Sequence, residues 1–393
     1  MSKSFDEIDA YCHRLVSESQ FAGISWHVRQ GSYSSGTRVY GFADHNLRCG
    51  LNADTIFRLY SMTKPLISVL CLQLLEQGHV QLSDAVSRWI PALKTQRVQG
   101  ADGTLHDMQR QITIEDLLTH RAGFSYDFLP ECSVAAEYRR LHLAEDGSRC
   151  LTELINVLAE LPLAHQPGLR WYYSYSTDVL AHLLECVSGK PLRQLLQELL
   201  LLPLNMADTD FQVSPEKQHR LADMFGQKKL GEMPPENIST NVLKTMDVEA
   251  SYPVFSNGQF ARGGIGLFST VDDYLKFMQL MATGVSPDGC RLISPPMLNS
   301  LWENRLTTSQ MPISIGNSTY PGYGWGLAGR VMCQPADAVH TSCRGEGGWA
   351  GAASTYFWID RAKDFSGIVM AQYLGSAIEL GPSIQSLSYA ANA

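Results

Sequence analysis

The chain has 393 residues, enough for a large core and two or three domain-sized units. Its composition, 45% hydrophobic and 18% charged, is that of an ordinary globular protein. A formal charge of −8, with lysine and arginine scattered and no basic block, argues against nucleic acid or an anionic membrane as partner.

The first residues, Met1 to Asp9, lack the apolar stretch of a secretory signal, and no apolar run is long enough to cross a bilayer. The nine cysteines are dispersed, with no C-x-x-C pair and no histidine at zinc-ligand spacing. These features lead us to expect a reduced, cytoplasmic protein that needs no metal or other cofactor; a homo-oligomer is left open.

Residues 5–19 predict an amphipathic helix, with Phe5, Ile8, Tyr11 and Leu15 on one face. Residues 22–29 and 37–42 alternate as two strands about a turn at Gly31–Gly36. An apolar run, residues 55–60, then meets Ser61-Met62-Thr63-Lys64, which opens a helical period reaching Gly78. A serine on the first turn of a helix and a lysine three residues on share one face. The helix N-terminus adds partial positive charge beside the hydroxyl, and a desolvated amine there can accept its proton near neutral pH. This is the S-x-x-K arrangement of serine acyl-transfer enzymes, although a serine at a helix start is by itself no more than a cap.

From Pro91 to about Gly258 helical periods prevail, clearest at residues 115–120, 151–161, 177–188 and 192–202. Within them, Trp171-Tyr172-Tyr173-Ser174-Tyr175 follows a Pro167-Gly168 loop and precedes a helix. A tyrosine there would have its phenol pKa lowered by a nearby lysine and the helix dipole. Thr177 and Asp178 read as N-terminal helix residues with a structural part. Gly263–Gly266 is a flexible punctuation point. A helix at 271–283, strands at 324–331, 352–359 and 366–374, and a last helix at 378–391 complete the chain.

Strands thus lie at both ends of the chain and helices in the middle. The predicted fold is α+β: an antiparallel sheet flanked by helices, built from residues 1–90 and 259–393, with a mostly helical domain, 91–258, inserted between its halves. The first and last helices cover one face of the sheet and the Ser61 helix the other. A ligand belongs in the cleft between the domains.

The third informative stretch is Gly345-Glu346-Gly347-Gly348-Trp349-Ala350-Gly351-Ala352, small residues running into an alternating strand. Glycines there permit close approach of another backbone. An N–H on this edge, paired with that of Ser61, could form an oxyanion hole.

Together these segments resemble the serine β-lactamase and penicillin-binding-protein superfamily, in particular the class C-like branch that holds family VIII carboxylesterases and related acyltransferases. The resemblance spans nearly the whole chain. It is carried by residues 56–64, Ile112–Gly123, Tyr173-Ser174-Tyr175, Pro203–Thr209, Gly263–Thr270 and Trp349-Ala350-Gly351. It implies that Ser61 is the acylated nucleophile, Lys64 its base partner, Tyr173 the proton shuttle and Ala352 the second oxyanion N–H. Tyr175, Trp349, Ala350, Gly351 and Tyr126 would contact substrate. By the same resemblance His120 is structural.

Two departures separate the branches. The third element of β-lactamases is Lys-Thr/Ser-Gly, whose cation holds a carboxylate; here it is Trp349-Ala350-Gly351. The asparagine of Y-x-N is Tyr175. An aromatic, uncharged pocket suits a small to medium apolar ester, so a carboxylesterase or transacylase is expected. The alternatives are a β-lactamase or D-alanyl-D-alanine peptidase-like enzyme, and a catalytically silent binding protein of the same fold. An α/β-hydrolase is excluded, because no G-x-S-x-G occurs. Phe128, Trp171, Tyr172 and Trp325 are further candidates to line the acyl pocket or to pack as core. Arg262 either meets substrate or caps a loop.

Overall fold

The computed structural model describes residues 5–391 apart from 45, 47, 130–131, 230–231, 233–239 and 257–258. The boundary expected at Gly258 lies outside them. The helices are α1 (Asp6–Ser17), α2 (Thr63–Glu76), α3 (Ile114–Leu118), α4 (Ser133–Arg140), α5 (Leu151–Glu160), α6 (Ser176–Ser188), α7 (Leu192–Leu196), α8 (Val271–Thr283), α9 (Pro295–Leu301) and α10 (Leu380–Ala390).

The main sheet is antiparallel and draws on both ends of the chain. Its strands are β1 (Gly23–Gln30), β2 (Tyr33–Ser34), β3 (Arg38–Gly41), β4 (Tyr323–Trp325), β5 (Arg330–Met332), β6 (Gly347–Gly351), β7 (Thr355–Asp360) and β8 (Phe365–Met370). They run β4-β5-β6-β7-β8-β1, with β2 and β3 both on β1. The two ends join where Ser25 of β1 faces Met370 of β8, a register kept to Gln30 and Phe365.

Side chains on β7 alternate between two cores, as a strand covered on both faces requires. Tyr356 and Trp358 pack with α1 and α10, while Phe357 and Ile359 join the cluster that includes α2 and α8. The first and last helices therefore share one face and the Ser61 helix lies on the other, as expected. The second cluster continues without a break from α8 through α2 into α3, α5, α6 and α7. Helix α2 is buried on all sides from Thr63 to Leu74, the behaviour of a helix apolar all round. Lys64, the charged group within that span, is forced out of water.

Several elements differ from the sequence reading. The strand expected at 324–331 is a hairpin, β4 and β5, because Leu327–Gly329 turn between them. The strand expected from 352 begins at Thr355; Trp349-Ala350-Gly351 forms the preceding strand, and Ala352 sits exposed in the turn. The last strand stops at Met370, and Tyr373–Leu374 pairs in parallel with Phe225–Gly226 instead. The helix expected at 192–202 becomes a π-turn after Leu196.

Candidate active site

Ser61 is not in the first turn of α2, as expected, but in a single 3-10 turn, Tyr60–Met62, that feeds it. Tyr60 holds φ +47°, a left-handed conformation that a bulky side chain adopts at a cost of about 1–3 kcal/mol. Packing compensates: Tyr60 is fully buried with its ring 4.9 Å from that of Tyr252. Further bonds lock the turn, from Leu59 N to Leu267 O (2.9 Å) and from the Tyr274 hydroxyl to Met62 O (2.9 Å).

Lys64 stands one helical turn on, buried at 2% exposure. Its Nζ lies 3.1 Å from Ser61 Oγ and donates to Gly264 O at 2.7 Å. Burial lowers its pKa to about 7, against the opposing charge of Asp178. The amine also faces the rings of Tyr173 (4.7 Å) and Tyr126 (5.1 Å). Near neutral pH a large fraction of it is free base, with a lone pair for the serine proton.

Asp178, assigned only a structural part from sequence, accepts from Gly264 N at 3.0 Å and so sets the carbonyl that holds Lys64. Burial raises its pKa, with Arg262 and Lys64 acting the other way. Gly264 is not a flexible point. A Cβ there would meet Asp178 Oδ2 at 2.3 Å and Tyr126 Oη at 2.8 Å, so glycine is required for the close approach. Sequence gave no signal for this contact, which spans 200 residues.

Tyr173 closes the group. Its hydroxyl accepts from Trp349 Nε1 at 3.1 Å, and its ring is bordered by His120 (4.7 Å), Tyr126 (5.3 Å) and Trp349 (5.4 Å). Its pKa is not lowered, as expected, but raised: burial outweighs its bonds to Ser61 and Trp349. Held so, the Tyr173 hydroxyl stays protonated near neutral pH. His120 is buried, and burial together with Lys64 pushes its pKa well below the usual range. It stacks behind Tyr173 and makes no bond to Ser61 among those described.

Strand β6 comes against the Ser61 turn at Gly351. A Cβ there would sit 2.2 Å from Leu59 O and 2.2 Å from Thr355 Oγ1, so only glycine permits the approach. Beside Ser61 opens a cleft of about 630 Å³, bordered by Tyr126, Phe128, Tyr173, Tyr175, Trp349, Ala350, Gly351 and Ala352 among others. Every residue predicted from sequence for the site except Lys64 borders it, and Lys64 reaches it through Ser61.

Of the further aromatic candidates, Phe128 is on the wall, stacked 5.0 Å from Tyr126. Trp171 and Trp325 stand behind Tyr173 and Trp349 as support, and Tyr172 packs on His165. Tyr175 borders the cleft but donates its hydroxyl to Asp127 at 2.9 Å. The wall is charged rather than uncharged: Asp178, Lys228, Lys229, Arg262, Arg330 and Glu379 border it. Arg262 caps a loop, donating to Asp146 O and Arg149 O. Arg330 pairs with the buried Glu346 at 3.2 Å.

A serine presented by a strained turn to a buried, near-neutral amine is the apparatus of enzymes that work through an acylated serine. The chain belongs to the Beta-lactamase family, whose model matches residues 8–382. An uncharacterized protein of Mycobacterium tuberculosis is 33% identical over 343 residues, 85% of this chain and 81% of its own. Esterase EstB of Burkholderia gladioli is 26% identical over 393 residues, 98% of this chain and 94% of its own. Among solved structures, EstCE1, described as a hydrolase with promiscuous acyltransferase activity, superposes with a TM-score of 0.80. It is 23% identical and covers 98% of this chain and 97% of its own, a likeness of fold.

Proposed function

We propose that the protein is a serine carboxylesterase that forms an acyl-enzyme on Ser61. One observation carries the reading: the amine of Lys64, held at a pKa of about 7 by burial, lies 3.1 Å from Ser61 Oγ. Lys64 takes the serine proton as Oγ attacks the ester carbonyl. The N–H groups of Ser61 and Ala352 receive the developing oxyanion. Tyr173, a phenol by virtue of its burial, protonates the departing alkoxide, and the protonated Lys64, which faces the Tyr173 ring, gives its proton to the phenolate that results. Water, or a second alcohol, then takes the acyl group by the same steps in reverse. The full aromatic wall and the buried, unpartnered hydroxyl of Tyr126 support binding of a small to medium ester, with the acyl chain against Tyr126 and Phe128.

Trp349 weighs against a penicillin-recognising enzyme. It occupies the position of the cation that such enzymes direct at a carboxylate, and its only polar atom is spent on Tyr173. The esterase name of the Burkholderia relative agrees with this reading. Nine free thiols support a reducing compartment such as the cytoplasm; among the described residues no helix is long and apolar enough to cross a membrane.

The test is hydrolysis of p-nitrophenyl butyrate and of nitrocefin by wild type and Ser61→Ala. Ester turnover lost in Ser61→Ala, with nitrocefin untouched, is the expected result. Nitrocefin turnover alone would return the penicillin reading, and turnover of neither would leave a binding protein.

A further inference from the structure

The cations bordering the cleft differ in how they are neutralised. Arg330 is met by Glu346, and Arg262 is held by two carbonyls and faces Asp178. Lys228 and Lys229 also border the cleft; Lys229 is exposed, whereas Lys228 is partly buried. None of the ion pairs or side-chain hydrogen bonds among the described residues involves the Lys228 ammonium group, and among those residues the opposing charge that acts on it is Glu232.

The position of Lys228 follows from the backbone. Phe225–Gly226 pairs in parallel with Tyr373–Leu374, and Gln227 N donates to Leu374 O at 3.1 Å. Two residues past the pairing, the Lys228 stem lies across Gly375, where a Cβ would meet Lys228 Cγ at 2.7 Å. The same segment is tied to the turn that carries Ala352: Tyr373 N donates to Ala353 O at 3.1 Å, and Ser354 Oγ donates to Tyr373 O at 3.0 Å. Lys228 therefore stands on the cleft wall next to the turn that follows β6. It is partly buried, and that burial depresses its pKa, with Glu232 opposing. Its stem is packed against Gly375 while its ammonium group stays open to the cleft, free to meet an anion there.

We propose that Lys228 binds a carboxylate of the substrate, so that the enzyme favours esters carrying an anionic group remote from the scissile carbonyl over neutral esters of the same length. This rests on the esterase reading and narrows its substrate class: the apolar wall takes the chain, and Lys228 takes its charged end. The carboxylate is not a reacting group, and Lys228 is a specificity residue rather than a catalytic one.

Two matched pairs of esters test it: mono-p-nitrophenyl adipate against p-nitrophenyl hexanoate, and the butyrate ester of p-hydroxybenzoate against phenyl butyrate. Wild type prefers the anionic member in one pair by kcat/KM, and the pair that responds places the anion on the acyl or the alcohol side. In Lys228→Met that preference falls about tenfold or more, the worth of a hydrogen bond to a charged group. Lys228→Arg retains most of it. Equal rates within both pairs in wild type, or a preference that survives Lys228→Met, overturns the proposal. Calorimetry on Ser61→Ala separates its failure from that of the esterase reading. Adipate bound more tightly than hexanoate, with the margin lost in the Lys228→Met double variant, sustains the anion site even if no ester is turned over. Absence of that margin, together with equal rates within both ester pairs, removes it.

Discussion

Trp349 donates its indole N–H to the hydroxyl of Tyr173 at 3.1 Å, joining strand β6 to a loop 176 residues earlier in the chain. The bond holds the phenol in place beside Ser61. Trp349→Phe removes this bond together with part of the packing on Trp325 and Tyr320. A lost neutral hydrogen bond is worth about 0.5–1.5 kcal/mol, so kcat/KM on a p-nitrophenyl ester should fall about two- to tenfold or more, and the smaller ring should lower the melting temperature by a few degrees.

Tyr173→Phe should discriminate among leaving groups. A p-nitrophenolate departs without help, whereas an ethoxide needs a proton. The loss of kcat/KM should approach the ~10²–10⁴-fold scale of general acid–base catalysis for ethyl butyrate and be much smaller for p-nitrophenyl butyrate. Equal losses on both would remove Tyr173 as the acid.

The pH profile should report Lys64. Its protonated form cannot accept the serine proton, and its pKa is lowered to about 7. Activity should therefore rise through pH 7 to a plateau and drop about tenfold for each unit below it. Because Asp178 acts to raise the Lys64 pKa, Asp178→Asn should move this limb to lower pH. A limb that stays in place would mean another group controls it. Lys64→Met should cost about 10²–10⁴-fold on the plateau and abolish this limb.

Gly351→Val tests the close approach of β6. Its side chain would collide with Leu59 O and Thr355 Oγ1, each 2.2 Å from the Cβ position. Overpacking of this kind costs about 1–3 kcal/mol, read as a few degrees of melting temperature. Since the strand carries the turn of Ala352 against Ser61, activity should fall by far more than the lost stability accounts for.

Arg330 and Glu346 form a pair buried at 2% and 0% side-chain exposure. Glu346 also accepts from the hydroxyls of Tyr323 and Ser342, at 2.7 Å each. Arg330→Met leaves this carboxylate charged and out of water, at a cost of about 3–5 kcal/mol in urea unfolding. The double variant Arg330→Met/Glu346→Gln should recover part of the loss.

What could be read from sequence follows the range of each interaction. Ser61 and Lys64 are three residues apart, and their spacing alone places them on one side of a turn. Alternation on β7 and the period of α1, α8 and α10 identify the layers, since burial patterns are local. The grip of Gly264 on Lys64 is not local, and neither is Asp178 behind it; two glycines in a run of small residues look the same whether they bend freely or are jammed against a carboxylate. The direction of the Tyr173 shift was misread for a related reason. The motif shows a helix start and a lysine nearby, but the burial that raises the pKa comes from His120, Tyr126 and Trp349, gathered from three other segments, and outweighs the bonds to Ser61 and Trp349. The hairpin at Leu327–Gly329 was missed because its apolar residues run on as though in one strand.

The bond from Lys64 to Gly264 has a consequence for the order in which the working enzyme comes into being. The nucleophile and its amine emerge early in synthesis, but the carbonyl that aims the amine is made 200 residues later, and the strand that abuts the nucleophile later still. A chain still on the ribosome thus carries the reactive serine without its aim. Complete assembly of the site therefore waits for the two ends of the polypeptide to meet in the main sheet.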